Sequence, residues 1–277
     1  MGKIISFANQ KGGVGKTTSA VNVAASLGIL GYKTLLVDLD PQGSATSGVG
    51  VVKKGLKNST TDLLTTDIDP ERCIVSTEYK GLDIVPCTVS LAAAEFKLYE
   101  LEESEFRLKK ALTKIKDKYD YIIIDCPPSL GLLTLNAMMA ADSVITPVQC
   151  EYYAMEGLAH FMGTVNKIKQ FLHPKLQMDG GVLTMYDAHL NLAKQVREEV
   201  SRYFGDKIYK TPIPRNIRLA EAPSFGQSIF DYEPACRGAE AYIKLAIEFL
   251  TRRGAKVEDF ADFKLAGNTP LNYDFGG

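Results

Sequence analysis

The stretch KIISFANQKGGVGKTTSAVNVAASLGILG, Lys3 to Gly31, decides the fold. It reads as a short apolar strand, Ile4 to Ala8, then a glycine-rich loop, then an amphipathic helix opening at Lys16. A strand that feeds a helix through a glycine loop is the context a phosphate-binding loop requires. Gly12, Gly13 and Gly15 let the backbone curl so that its N–H groups point inward at an anion. The helix N-terminus beyond them adds partial positive charge. In such a loop Lys16 reaches the β- and γ-phosphates of a nucleotide, and the Thr17 hydroxyl ligates Mg²⁺. The strict pattern fails at one position, because Gln10 stands where the first glycine belongs and a second lysine, Lys11, heads the loop. The loop turns Lys11 outward, so it suits a nucleotide in a facing subunit better than its own.

Downstream, strands and helices alternate. TLLVD (Thr34–Asp38) is a continuous apolar run, the form of a strand buried on both faces of a parallel sheet. Asp38 and Asp40 fall at its carboxyl edge, where ligands sit in open α/β sheets. A short helix is expected near Thr61 to Leu64 and a strand from Gly81 to Pro86. The spacing of Leu101, Arg107, Leu108, Ala111, Leu112 and Ile115 predicts one amphipathic helix within Ser90 to Lys118, facing the sheet with its charges outward. Ile122, Ile123 and Ile124 form a buried strand ending on Asp125, the pattern of a magnesium-linked aspartate downstream of a phosphate loop. Further strands are expected at Ser143 to Val148, Gly180 to Met185 and Lys207 to Thr211. Helices are expected at Met155 to Phe171, Leu190 to Tyr203 and Gly238 to Arg253, with a looped segment and brief helix from Ile213 to Ser224. The whole predicts one doubly wound α/β domain with a mostly parallel sheet over residues 1–253, and a loosely attached tail over 254–277.

Composition sets limits on this reading. In 277 residues, 45% hydrophobic and 23% charged, the balance is that of an ordinary globular protein. There is no apolar run long enough to cross a bilayer, and the N-terminal stretch lacks the core of a signal peptide. Cys73, Cys87, Cys126, Cys150 and Cys236 stand singly, which fits reduced, buried thiols in the cytoplasm better than a disulfide framework or zinc site. Formal net charge is −1, so nucleic-acid binding needs a local patch. One lies between His189 and Arg218, where Lys194, Arg197, Arg202, Lys207, Lys210, Arg215 and Arg218 face only Glu198, Glu199 and Asp206. Arg252, Arg253 and Lys256 extend it if the last helix lies alongside.

The segments KGGVGKTT, VDLDPQGSATSG, IIIDCPPSLG, VQCEYY and IPRNIRLAEAPS occur in the order found in the ParA/Soj family of partition ATPases, and the chain resembles that family from Met1 to about Arg253. The resemblance implies an ATPase that dimerises on ATP, with Mg²⁺ as cofactor. It implies that Lys11 acts in trans on the partner's phosphates and that Gly12 permits close approach of two subunits. Gly13, Val14, Gly15, Lys16, Thr17 and Thr18 then hold the phosphates and metal, with Asp125 as the second metal-linked residue. Asp40 positions the attacking water, and Pro214 and Asn216 bracket adenine. The resemblance further implies nonspecific DNA binding by the dimer, with Arg218, Lys194 and Arg197 as candidates, and a ParB-type centromere-binding partner at the nucleoid in the cytoplasm. His189 departs from the arginine common at that position; a largely neutral histidine is a weaker phosphate contact. Rival readings are a MinD-like membrane ATPase, which needs a basic amphipathic C-terminal helix that KLAGNTPLNYDFGG does not supply, and a nucleotide-gated scaffold with negligible hydrolysis. A bacterial tyrosine kinase would end in a tyrosine cluster, whereas this tail has only Tyr273, and a nitrogenase-iron-protein reading would ask more of Cys126 than a packed thiol.

Overall fold

The computed structural model describes residues 2–151, 154–260 and 263–265. In chain order the elements are β1 (Lys3–Phe7), α1 (Lys16–Ile29), β2 (Thr34–Asp38), α2 (Ser44–Gly48), α3 (Thr60–Thr65), β3 (Val75–Ser76), β4 (Leu82–Val85), α4 (Ser90–Tyr99) and α5 (Arg107–Thr113). There follow β5 (Tyr121–Asp125), α6 (Leu132–Ala140), β6 (Ser143–Gln149), α7 (Ala154–Phe171), β7 (Gln177–Thr184), α8 (Asn191–Phe204), α9 (Ile217–Glu221), α10 (Ile229–Tyr232) and α11 (Arg237–Thr251).

Seven strands form one sheet in the order β3-β4-β2-β5-β1-β6-β7, parallel except for the short edge strand β3. This is the doubly wound architecture expected from the alternating pattern. Residue alternation along the central strands sorts the core into two layers, because successive side chains point to opposite faces. Ile5, Phe7, Leu36 and Ile123 face the layer that holds α1 and α11. Ile4, Ala8, Leu35, Val37, Ile122 and Ile124 face the layer that holds α5, α6 and α7. The three isoleucines of β5 are fully buried, each worth roughly 1.5–3 kcal/mol relative to an exposed side chain. A smaller cluster, with Val148, Leu158, Leu183, Val196 and Val200, joins β6 and β7 to α7 and α8.

Register places the functional edge. Phe7 pairs with Asp125, and Asp38 pairs with the same Asp125 from the other side. Three strand ends therefore converge where the glycine loop begins.

Several expectations need correction. The single helix expected within Ser90 to Lys118 is two helices, α4 and α5, separated by residues 100–106. Glu103 takes a left-handed backbone (φ 52°), which no continuing α-helix accommodates. No strand forms at Lys207 to Thr211 among the described residues. Tyr209 bonds to Gly181, but the amides of Lys210 and Thr211 donate to the Glu248 carboxylate, so a side chain replaces a strand neighbour. Sequence periodicity also missed α6 and the two-residue β3, both too short or too uniformly apolar to show a period. Arg252 and Arg253 do not extend a surface patch: Arg252 pairs with Glu248 and Arg253 with Asp179, bracing α11 against β7. Cys73, Cys87 and Cys126 are buried, while Cys150 and Cys236 are half-buried; all five are free thiols. After Gly254, Phe260 is buried and Phe263 and Leu265 pack on the same core; residues 266–277, half of the expected tail, lie outside the described residues.

Candidate active site

The loop after β1 is shaped by backbone freedom at two glycines. Gly13 and Gly15 have φ of 73° and 83°, a region that strains any residue with a Cβ. Gly15 is the N-cap of α1, and no side chain caps that end. The first-turn N–H groups of a 14-residue helix therefore face the loop's interior, an anion-binding arrangement.

Side chains from distant strands hold the loop in place. Asn9 donates to the Pro147 carbonyl of β6 (2.8 Å) and accepts from the Lys11 amide (3.0 Å). Thr184, at the end of β7, donates to the Val14 carbonyl (2.8 Å). The Lys16 ammonium, almost fully buried, donates to the Lys11 carbonyl (2.9 Å). Burial lowers the Lys16 pKa, and Asp125 and Asp40 oppose that shift. Lys11 itself points away from this interior and forms a half-exposed ion pair with Glu151 after β6. Its neighbour Gln10 is bonded to His160 of α7 (2.6 Å). A Cβ at Gly12 would meet nothing nearer than Pro128, at 4.0 Å, so the chain's own packing does not demand glycine there.

Three aspartates line the adjoining strand ends, and each is used differently. Asp38 accepts from the Thr46 amide (2.7 Å), the Thr46 hydroxyl (2.6 Å) and the Asp40 amide (3.2 Å). Burial nevertheless raises its pKa to about 6, with those hydrogen bonds resisting. Asp38 is thus the clamp of the turn over residues 39–46. Asp40, nearly buried, accepts from the Gln42 amide (2.9 Å) and stands at the mouth of the site. Asp125 is fully buried, and neither carboxylate oxygen makes a hydrogen bond of ordinary geometry. Burial pushes its carboxyl well up and Asp38 adds to this, while Thr17 and Lys16 pull it back. A buried carboxylate without partners is costly, several kcal/mol in real proteins. A hydrated divalent cation beside Thr17 is the group that would satisfy it. Among the described residues no three His, Cys, Asp or Glu side chains are placed to hold a metal ion together, so such an ion would keep several waters, as magnesium does.

Beyond α1 a cavity of about 520 Å³ opens beside Gly15 and Thr18, lined by Thr184, Met185, Ile213, Pro214, Asn216, Leu219 and Tyr242 among others. It is contiguous with the phosphate loop, of a size for a nucleobase and sugar, and largely apolar. The Asn216 side-chain oxygen caps α9 by accepting from the Arg218 amide (2.9 Å), which fixes the side chain at the cavity wall. A cavity of about 570 Å³ between Leu63 and Lys114 touches none of these residues.

The structure brings together every residue expected around the phosphates, metal and base: Lys11 to Thr18, Asp40, Asp125, Pro214 and Asn216 share one edge of the sheet. It does not bring the three DNA candidates into one site. Lys194 and Arg197 line a shallow recess with Glu198, Tyr186 and an Arg202 that is paired with Glu199, whereas Arg218 on α9 is outside that recess and paired with Glu221 (2.9 Å). Sequence reasoning missed Asn9, Thr184, Glu151 and the clamp role of Asp38. Only Asp38 left a signal, its apolar strand followed by small hydroxyl residues.

Comparison with known proteins gives a consistent picture. A family model described as an AAA domain matches residues 2–178. The sporulation initiation inhibitor protein Soj of Bacillus subtilis (strain 168) is 54% identical over 248 residues, covering 90% of this chain and 98% of that protein. The chromosome partitioning protein ParA of Myxococcus xanthus (strain DK1622) is 49% identical, covering 91% and 89%. Among solved structures, cobyrinic acid a,c-diamide synthase from Mycobacterium smegmatis with bound ATP analog and magnesium superposes with a TM-score of 0.81. It is 35% identical and the match covers 92% of this chain and 96% of that one. No helix among the described residues is long and apolar enough to cross a membrane.

Proposed function

The chain belongs to the Soj/ParA family of chromosome partitioning proteins, and from that premise we propose that it is a magnesium-dependent ATPase that dimerises on ATP. The observation that carries the reading is Asp125: a fully buried carboxylate whose oxygens make no hydrogen bond of ordinary geometry, with Lys16 and Thr17 acting on it from the glycine loop. The loop amides and Lys16 hold the triphosphate, and the cavity at Pro214 and Asn216 takes adenine. Thr17 and Asp125 would hold Mg²⁺, which when bound offsets phosphate charge. Asp40 orients the attacking water. That task needs position more than basicity, since phosphoryl transfer depends mainly on alignment and charge stabilisation.

The reading of Lys11 as a residue acting on a second subunit is supported by two features. Its ammonium is turned from its own loop and held by Glu151, and Gly12 is glycine at a position where this chain alone leaves room for a Cβ. Release of Glu151 and contact with the facing nucleotide would complete two sites at once, so hydrolysis is tied to assembly. We extend the proposal to nonspecific DNA binding through the recess of Lys194 and Arg197, with Arg218 as a separate contact outside it, and to positioning of chromosome or plasmid cargo at the nucleoid with a ParB-type partner. A recess of a few cations gives weak, salt-sensitive binding that a dimer makes useful.

The test is retention of the purified chain on double-stranded DNA with ATP, ADP or no nucleotide, in parallel with light scattering and phosphate release. ATP-only retention by a dimer that releases phosphate supports the reading. A monomer with bound ATP would sink the dimer switch.

A further inference from the structure

The C-terminal end of α3 is closed by a side chain from α5, and a recess lies beside that contact. The last carbonyls of a helix have no partner within it. Arg107 supplies one from outside: its Nε donates to the Leu64 carbonyl (3.0 Å), and its Nη2 donates to the Thr66 carbonyl (2.7 Å) and to Asp67 (2.9 Å). The Arg107 side chain is 15% exposed, and its Nη1 has no hydrogen-bond partner among the described residues. The cavity of about 570 Å³ between Leu63 and Lys114 has Arg107 in its wall. It touches none of the residues placed around phosphate, metal or base, so it is a second site.

The chemistry of this cavity is divided. Leu63 and Ala111 are buried, Ile68 and Phe106 half-buried, and together they make an apolar lining. Around it stand Arg107, Lys109, Lys110 and Lys114 against two acids, Asp67 and Glu103. Both acids are already taken, Asp67 by Arg107 and Glu103 by Lys110. Lys109 and Lys114 form no ion pair among the described residues. The Lys109 ammonium lies over the Phe106 ring instead, 5.9 Å from its centroid. We propose that this cavity binds a small amphipathic anion. Its apolar body would rest on Leu63, Ile68, Phe106 and Ala111, and its anionic group would meet Lys109 and Lys114.

Size, shape and sign select this occupant. Pockets for small molecules run from about 300 to 1,000 Å³, mostly apolar with a few placed polar groups, and this one falls inside that range. None of its four apolar residues is among the large apolar side chains exposed on the surface. The apolar area therefore lies within the recess, where a ligand can enter, and a bilayer or a flat protein face would find nothing to cover. Charge then sorts the ligands. A cation would meet two uncompensated ammonium groups, and a neutral body would leave both unused. Burial of the apolar body supplies affinity, and charge-assisted contacts fix its orientation.

The experiment uses the full chain with excess ADP and Mg²⁺, so that the cavity at Pro214 and Asn216 is filled. The probe is anilinonaphthalene sulfonate, an aromatic body with one anionic group, followed by its fluorescence. Phenylnaphthylamine, the same body without the charge, is the control. Saturable binding of the sulfonate is expected, about tenfold tighter than the control. The double variant Lys109→Glu/Lys114→Glu is expected to remove that preference while leaving the thermal unfolding midpoint in place. Thr113→Trp, at an exposed position in the cavity wall, is expected to weaken both probes. No saturable binding, equal affinity for the two probes, or indifference to both variants would each overturn the proposal. So would displacement of the sulfonate by an acidic peptide at a lower concentration than the probe itself needs, since the recess would then belong to a partner protein. The variants locate the probe whether or not ADP binds, so a failure of the nucleotide reading stays distinct from a failure here.

Discussion

Two aspartates end neighbouring strands in direct register, and the chain treats them in opposite ways. Asp38 on β2 is satisfied by both donors of Thr46 and by the Asp40 amide; Asp125 on β5 receives no hydrogen bond of ordinary geometry. Both are fully buried, and burial raises the pKa of each. The difference teaches which acid is structural. A carboxylate whose lone pairs are met by its own chain serves the fold, while one buried and unmet is arranged for a group from outside.

The largest effect expected at this edge comes from Lys16→Ala, which removes a buried cation that interacts with Asp125 and Asp40. Nucleotide affinity should fall on the order of 100-fold or more by titration calorimetry, given the strength of charge-assisted contacts to phosphate. Undiminished affinity would remove the phosphate-loop assignment. Next is the hydrolytic step. Asp40→Ala should retain ATP and accumulate as dimer while phosphate release drops by roughly 100-fold, the scale for losing one aligned group. A variant that stays monomeric with ATP in light scattering assigns Asp40 to assembly instead.

The sharpest break of the comparison is a pair of isosteric changes followed by denaturant unfolding without nucleotide. Asp38→Asn turns one acceptor oxygen into a donor facing Thr46, and should cost about 1–3 kcal/mol. Asp125→Asn removes an unmet buried charge, and should leave stability unchanged or raise it while reducing magnesium-dependent hydrolysis. Equal losses from both changes would erase the distinction. The pH dependence sharpens the same point. The folded Asp38 carboxyl titrates near 6 against an ordinary 3.8, so the folded chain holds a proton that the unfolded chain has released. Its contribution to stability is present below the ordinary pKa and is lost as pH rises through about 6. Asp38→Asn should flatten that part of the unfolding profile. The smallest effect belongs to the surface: Arg218→Glu should reduce ATP-dependent DNA retention a few-fold, and Lys194→Glu somewhat more, because Arg218 is already engaged by Glu221. The reverse ranking would move the DNA surface to α9.

Much of this edge was legible before any coordinates. The glycine loop, the helix opening at Lys16 and the aspartates closing two apolar runs are local patterns, and the chain places them within a residue of where their spacing puts them. The long-range clamps were not legible. Asn9 reaches Pro147 and Thr184 reaches Val14 across 138 and 170 residues, and nothing near either residue advertises its partner. The break between α4 and α5 was hidden for a different reason. Apolar spacing continues through it, while Glu103, a good helix former, adopts a left-handed turn.

By itself, then, the sequence determined the loop, the parallel core and the family, because strand hydrophobicity and glycine placement act over a few residues. Tertiary structure alone decided which acid is clamped and which is left open. It also decided that Arg252 and Arg253 brace the fold, that Lys11 is held by Glu151, and that Arg107 closes the end of α3 beside a recess. Those outcomes depend on what the rest of the chain brings alongside: burial and hydrogen-bond satisfaction belong to the packed whole, and no window of sequence contains them.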